Sequence, residues 1–266
     1  MTPAPETATP SRGADDGPGS GTRMKPISRP VLAVLALLFV AAGVMRLVDL
    51  DAPGTLIERE YRSMLLARSM YYAVDPPAES WKRETARVSA LREGRLEPPI
   101  NEALVATAYV AGGRERVRVS RVLGTGFWLA GGLFLFALAR RLVPPGAAVV
   151  PVGFYLLSPL AVTTSRSFQP DSFMLFLTLV ALHAMVRHAE RPTRARYAWA
   201  VASAAAAILV KPFVAFLIPF AFAALTIHRK GFRGLFRVEA IAFAVLAVTP
   251  TVAWFAWNAF GGVEYD

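Results

Sequence analysis

Residues 147–188 read AAVVPVGFYLLSPLAVTTSRSFQPDSFMLFLTLVALHAMVRH, two apolar runs separated by the polar stretch Ser165–Asp171. Each run is long enough to be a candidate for crossing a bilayer as a helix. A guanidinium and a carboxylate this close to hydrocarbon are costly, so we expect Arg166 and Asp171 to be paired, exposed to water or functional. The direction in which this loop faces therefore decides how the rest of the chain is interpreted.

Similar apolar runs recur along the chain and predict an all-α, polytopic membrane helical bundle. Hydrophobic residues make up 55% of the 266 residues, and a soluble domain usually has fewer. Lys211-Pro212 separates the fifth predicted span from the sixth, because proline disfavours helix in the residue before it. The seven predicted spans are 31–50, 123–143, 147–163, 173–188, 197–210, 213–227 and 238–258.

The composition excludes several kinds of site. The chain has no cysteine, so it has no disulfide, no cysteine-ligated zinc and no thiol nucleophile. The net charge of +10 comes mostly from basic residues beside apolar spans, which indicates cytoplasmic loops rather than nucleic-acid binding. Residues 1–29 are poor in large apolar side chains and are predicted to be a disordered tail, which leaves 30–266 as the transmembrane domain.

Lysine and arginine near the span ends predict the orientation. Four basic clusters fall on one side of a seven-span arrangement, and we assign that side to the cytoplasm of a plasma or inner membrane, with the N-terminus inside. The opposite side then receives the long loop 51–120, the loop Ser165–Asp171 and Lys211. The clusters are Arg23, Lys25 and Arg29; Arg140 and Arg141; Arg187, Arg191, Arg194 and Arg196; and Arg229, Lys230, Arg233 and Arg237.

The long loop 51–120 is predicted to be structured and charged. Apolar residues at helical spacing predict a helix over 57–72 at the membrane surface, and Gly112-Gly113 ends a second helix over 101–111. Acids beside cations suit a phosphate-linked substrate, because cations hold the phosphate while a carboxylate acts as a base or orients a metal. The same charges also suit a solvated loop without a ligand. The charged residues predicted on this side include Glu58, Arg59, Glu60, Arg62, Arg68, Glu97, Arg166, Asp171 and Lys211.

Four stretches on this side resemble the GT-C membrane glycosyltransferases, in particular protein O-mannosyltransferase and aminoarabinose-transferase relatives. Residues 58–68 resemble the Asp-Glu motif and the following helix that ends in Ala-Arg. Residues 97–100 and 120–122 resemble the Pro-Pro segment and the arginine that opens the second span. Residues 166–171 resemble the outer loop with a second acid, and 209–212 resemble the segment whose lysine faces the lipid phosphate.

This resemblance implies an inverting sugar transfer from a polyprenyl-phosphate donor, in the lipid bilayer, to an unknown sugar or protein acceptor at the outer membrane face. Glu60, with Glu58 as its alternate, and Asp171 are then the candidate catalytic acids. No cofactor is clearly implied, although the acids are compatible with a divalent metal. We expect Asp171 to point into an outer cavity beneath the helix over 57–72. The candidate substrate contacts are Lys211, Arg166, Arg68 and Arg59.

Two departures from the family pattern support alternative interpretations. Arg59 stands where the family has its catalytic aspartate, and seven spans are fewer than family members usually have. We therefore interpret the chain as an N-terminal portion of such an enzyme. A truncated or degenerate relative that binds a lipid carrier or a partner without turnover is the second hypothesis. A transporter of lipid-linked sugars is the third, although the charges lie at span ends and no internal repeat is evident.

Overall fold

The computed structural model of the chain describes residues 26–51, 57–74, 78–93 and 97–260, and the regular structure in these ranges is helical. Most of the predicted disordered tail, residues 1–25, lies outside the described residues. Two short 3₁₀ helices, Pro212–Phe216 and Phe232–Phe236, lie between the last three α-helices. The α-helices are α1 Arg29–Leu47, α2 Ile57–Val74, α3 Ser80–Arg92, α4 Ile100–Gly112, α5 Val117–Ala139, α6 Pro145–Leu157, α7 Pro159–Arg166, α8 Asp171–Glu190, α9 Arg194–Val210, α10 Ile218–Lys230 and α11 Val238–Phe260.

The prediction of a polytopic all-α membrane protein is confirmed. Five described helical segments are long and apolar enough to cross a membrane, and the bent pair α6–α7 makes a sixth if it is one span. The predicted fifth span corresponds to α9, which has 17 residues and is about 25 Å long at 1.5 Å per residue. The predicted break is also present, because α9 ends at Val210 and a 3₁₀ helix begins at Pro212.

The predicted third span, 147–163, is not one continuous helix. Helix α6 ends at Leu157, α7 begins at Pro159, and the two axes are bent by 53°. Proline at the first helical position has no N–H to continue the α6 ladder. The Ser158 hydroxyl instead accepts a hydrogen bond from the Ala161 amide at 3.3 Å and caps the new helix. A serine and a proline therefore restart the helix within the apolar run.

Contacts between helix ends show that successive spans alternate in direction. At one end, the C-termini of α1, α7 and α9 meet the N-termini of α5 and α8, beside α2 and α4. At the other end, the C-termini of α5, α8 and α10 meet the N-terminus of α11 or one another. We call the first the loop end, formed by 46–51, α2–α4, Arg121, 165–171 and Lys211. We call the second the arginine end, formed by 140–141, 187–196 and 228–239.

Small residues let the spans approach closely, as is usual between helices in membranes. The buried cluster between α8, α9 and α11 contains several alanines, and the rings of Phe222 and Phe243 stack there with centroids 3.8 Å apart. A second buried cluster lies between α1, α5 and α6. There, a Cβ on Gly131 of α5 would lie 2.5 Å from the Tyr155 hydroxyl oxygen, so only glycine allows this close approach of α5 and α6. The alanines of the first cluster are Ala181, Ala184, Ala200, Ala204, Ala207 and Ala247.

Both predicted loop helices are present. Helix α4 ends at Gly112, and Gly113 adopts the left-handed conformation, with φ of 69°, that glycine reaches without strain. Helix α2 packs on the bundle through Glu60, Ser63, Ala67 and Tyr71. Of the apolar residues whose spacing predicted this helix (the predicted apolar stripe), Leu65 is 7% exposed and Tyr61 is 57% exposed. Polar residues of α2 are thus buried against the protein because partners for them lie on α4 and α5.

Candidate active site

The loop end contains a buried ion pair between Glu60 of α2 and Arg121 of α5. The side chains are 3% and 6% exposed, and Glu60 Oε1 accepts hydrogen bonds from Arg121 Nε at 3.1 Å and Nη2 at 3.0 Å. Arg121 Nη1 also donates to the Leu50 carbonyl at 2.6 Å. The Phe168 amide donates to the same Glu60 oxygen at 3.2 Å. Glu60 therefore connects α2 to α5 and to the loop that carries Asp171.

A second ion pair joins Asp171, the first residue of α8, to Lys211, the residue that follows α9. Lys211 Nζ donates to Asp171 Oδ1 at 2.7 Å, and the side chains are 12% and 23% exposed respectively. The carboxylate lies at a helix N-terminus and the ammonium at a helix C-terminus, where each charge is favoured by the helix dipole. Two predicted site residues that are 40 positions apart are thus in direct contact.

Unpaired polar atoms accumulate around Asp171. Asp171 Oδ2, Gln169 Nε2 and Ser172 Oγ are buried and have no hydrogen-bond partner among the described residues. Gln169 and Ser172 are 4% and 1% exposed. Each such group costs about 1–3 kcal/mol when it is left unsatisfied. The three atoms belong to residues within four positions of one another, and a polar ligand or a water can satisfy an unpaired buried group of this kind.

Arg166 lies over the C-terminus of α1. Its Nη1 donates to the Met45 carbonyl at 3.0 Å, and its Nη2 donates to the carbonyls of Val48 and Asp49, both at 2.9 Å. These carbonyls are at the end of a helix, where they lack helical partners and attract a cation. The guanidinium predicted to contact phosphate therefore fastens the Ser165–Asp171 loop to α1.

Arg46 of α1 was missed by the sequence analysis. It is fully buried, its Nε donates to Ser165 Oγ at 2.7 Å, and its guanidinium carbon lies 5.7 Å from the Trp128 ring centroid. Its Nη2 has no hydrogen-bond partner among the described residues. An arginine at position 46, inside the apolar run 31–50, was the available signal. The hydrogen bonds of Arg46 and Arg166 together connect the C-terminal end of α1 to the end of α7.

The remaining predicted residues of the first loop have different surroundings. Glu58 and Arg59 are exposed. Arg68 makes a bidentate ion pair with Glu115, with both N–O distances at 2.8 Å. This hydrogen-bonded carboxylate raises the pKa of the Arg68 guanidinium. Among the three, only Arg68 has a described ion-pair partner, and that pair braces α2 against the segment before α5.

Glu102 of α4 is a further buried acid at the loop end. It is 2% exposed and accepts a hydrogen bond from Ser63 Oγ at 2.7 Å. Burial raises the pKa of the Glu102 carboxyl above its ordinary value of 4.5, although the Ser63 hydrogen bond opposes the shift. A desolvated acid with a perturbed pKa near a candidate site can be functional or structural. Its position in an apolar helical pattern gave no reason to select it from the sequence.

A cavity of about 430 Å³ lies between α2, α3 and the C-terminal part of α11. Arg62, Glu97, Trp254 and Trp257 are among its lining residues, and Asp171 is not. This cavity lies next to α2, but it is not lined by Asp171, whose side chain contacts Lys211. Within the described ranges, no group of three or more His, Asp or Glu side chains is arranged to hold a metal ion.

Comparison with protein families identifies the class. The model of the dolichyl-phosphate-mannose-protein mannosyltransferase family matches residues 105–254, more than half of the chain. The chain belongs to this family. It is therefore a multi-pass membrane glycosyltransferase of the mannosyltransferase kind. The matched region contains Arg121, Arg166, Asp171 and Lys211 but begins after α2. Comparisons with curated proteins and with solved structures find no match.

Proposed function

We propose that the chain transfers a sugar from a polyprenyl-phosphate donor to an acceptor at the loop end, and that this end faces away from the cytoplasm. Membership of the family supports a lipid-linked donor. The observation that carries the proposal is the Asp171–Lys211 pair, in which the acid retains one oxygen without a partner among the described residues. An acid and a cation in contact are the two groups that the transfer needs.

In the proposed reaction, the acceptor hydroxyl gives its proton to a carboxylate and attacks the anomeric carbon of the donor. The bond between that carbon and the phosphate oxygen breaks, and the phosphate leaves with both bonding electrons. Asp171 is the carboxylate beside the acceptor, with Gln169 and Ser172 as hydrogen-bonding neighbours. Lys211 stabilises the charge that develops on the phosphate.

The first-loop residues have supporting roles in this proposal. Glu60 is the acid of the first loop, and because its Oε1 is held by Arg121 and the Phe168 amide, it orients the loop that carries Asp171. Exposed Glu58 is the alternate acid, and it would act as the base only if the start of α2 moved inward. Arg59, Arg68 and Arg166 remain candidate contacts for phosphate, with Arg68 and Arg166 first having to leave their described partners.

The test is transfer of a labelled sugar from a polyprenyl-phosphate donor by the purified full chain. Asp171→Asn should lower transfer at least about 100-fold, as expected for loss of a general base. Lys211→Met should lower it by a similar factor because the leaving phosphate loses its cation. The matched control is Asp51→Asn, which removes a carboxylate from the exposed Asp51–Arg118 pair at the same end and should leave transfer within about twofold. Unchanged transfer in Asp171→Asn and Glu60→Gln would refute these roles.

A second function is favoured by Arg59, which is exposed at the motif position expected to hold an aspartate. In that case the chain binds a lipid carrier without catalysing transfer. The same protein preparation distinguishes the two functions. The non-catalytic role is supported if polyprenyl phosphate binds in a way that depends on Lys211 and no sugar is transferred to any acceptor tried. Measurable transfer that is lost in Asp171→Asn excludes it.

A further inference from the structure

The arginine end carries an ordered surface that alternates cations with aromatic rings. The 3₁₀ helix Phe232–Phe236 links α10 to α11, and its two phenylalanines are 66% and 71% exposed. Arg233 and Arg237 are exposed beside them. Since α10 ends at Lys230 and α11 begins at Val238, this segment lies at the level where two spans end. That level is the boundary between hydrocarbon and water.

The segment packs directly on α10 and is followed by the hydrogen-bonded start of α11. A Cβ added to Gly234 would lie 2.8 Å from the Cβ of Lys230 and 3.0 Å from Cγ2 of Thr226, so the backbone packs directly on α10. On the other side, Glu239 at the start of α11 contacts His188 Nε2 at 2.6 Å. The Tyr197 hydroxyl donates to the Glu239 carbonyl at 2.8 Å. The rings and cations are therefore presented without a large loss of chain entropy on binding.

The cations of this surface are mostly uncompensated. Lys230 pairs with Glu239. By contrast, the side chains of Arg229, Arg233 and Arg237 form no hydrogen bond or ion pair with the residues that the structure describes. Exposed rings at the membrane boundary favour insertion between lipids, and three free guanidinium groups favour phosphate oxygens. The combination fits an anionic phospholipid better than a soluble anion, which would leave the rings in water.

We propose that Arg229, Phe232, Arg233, Phe236 and Arg237 form a binding surface for anionic phospholipid headgroups. The guanidinium groups contact the headgroup phosphates, and the phenylalanine rings enter the acyl boundary. This surface lies at the opposite end of the bundle from Asp171 and Lys211, so it is independent of the proposed sugar transfer. Its role is to anchor the ends of α10 and α11 in an anionic membrane surface.

The test measures lipid retained by the purified full chain in neutral detergent, by native mass spectrometry, with phosphatidylglycerol or phosphatidylcholine added. The wild type should retain phosphatidylglycerol in preference to phosphatidylcholine. An arginine in direct contact with the bound headgroup contributes about fivefold in affinity, so Arg233→Gln/Arg237→Gln should weaken phosphatidylglycerol binding by about 25-fold. The matched control Arg191→Gln/Arg194→Gln removes two exposed charges from the same end and should stay within about twofold.

A second pair of variants tests the rings. Phe232→Ala/Phe236→Ala should weaken phosphatidylglycerol binding several-fold, whereas Phe220→Ala, at a 70% exposed ring within α10, should not. Thermal unfolding without added lipid should be the same in all these proteins, and the single variant Arg237→Gln serves if a double variant is unstable. The proposal is wrong if the wild type retains the two lipids equally. It is also wrong if Arg191→Gln/Arg194→Gln weakens phosphatidylglycerol binding as much as Arg233→Gln/Arg237→Gln does, or if inorganic phosphate displaces bound phosphatidylglycerol as well as added phosphatidylglycerol does.

Discussion

The loop end of the bundle contains one ion pair, Glu60–Arg121, that is buried more deeply than the ion pairs described at the arginine end. Glu60 and Arg121 at the loop end are 3% and 6% exposed, whereas Lys230 and Glu239 at the arginine end are 32% and 33% exposed. A pair in water contributes little to stability, while a buried charge that loses its partner is strongly destabilising. Exposed charges at the arginine end can therefore contact lipid at little cost in stability, whereas the buried side chains of Glu60 and Arg121 at the loop end each need a defined partner.

The largest effect is expected when one ion pair is removed at each end and the losses of stability are compared. Arg121→Met leaves Glu60 buried without its cation and should destabilise the protein by about 3–5 kcal/mol. Lys230→Met removes one side of a half-exposed pair and should cost about 1 kcal/mol or less. Thermal unfolding of the purified variants in detergent gives both values. Similar losses at the two ends would show that burial does not distinguish them.

A smaller loss of stability is expected when the hydrogen bond between Arg46 and Ser165 is removed. Ser165→Ala leaves the buried Arg46 Nε without its acceptor at 2.7 Å and should cost about 1–3 kcal/mol. In Arg46→Met the same serine change should cost much less, because the group that needs the hydroxyl is gone. A double-mutant cycle from unfolding measurements gives the coupling free energy between Arg46 and Ser165. Additive losses of stability would mean that their hydrogen bond contributes nothing to the free energy of unfolding.

The smallest effect concerns Glu102, whose hydrogen-bond partner at the loop end is the Ser63 hydroxyl rather than a cation. Because burial raises the pKa of this carboxyl in the folded state, its stabilising effect is complete below pH 4.5 and is lost as the pH rises through the folded pKa. The melting temperature of Glu102→Gln should therefore increase relative to the wild type over that range.

Glu79→Gln, which alters an exposed carboxylate at the same loop end, is the control for Glu102 and should show no such trend. A wild-type melting temperature that tracks Glu102→Gln at every pH would mean that Glu102 does not titrate differently on folding. It would also remove the contrast between this acid and the cation-paired acids of the arginine end.

Much of the fold follows from local features of the sequence. Apolar runs predict the spans, Lys211-Pro212 predicts the end of α9, and Gly112-Gly113 predicts the end of α4. The break at Ser158 was not predicted, because it depends on a hydroxyl capping a helix that the surrounding apolar residues would have continued. The predicted apolar stripe of α2 is buried only in part, because Arg121 and Glu102 make burial of Glu60 and Ser63 favourable.

For the candidate site, the sequence by itself determined which side of the bundle collects Glu60, Arg166, Asp171 and Lys211, because span order and hydropathy are local properties. Only the tertiary structure decided the partners, with Asp171 on Lys211, Glu60 on Arg121 and the Phe168 amide, and Arg166 on the end of α1. Those contacts join residues 40 to 121 positions apart. A buried charge binds whichever group the packing of distant helices brings to it, and no local pattern of residues specifies that group.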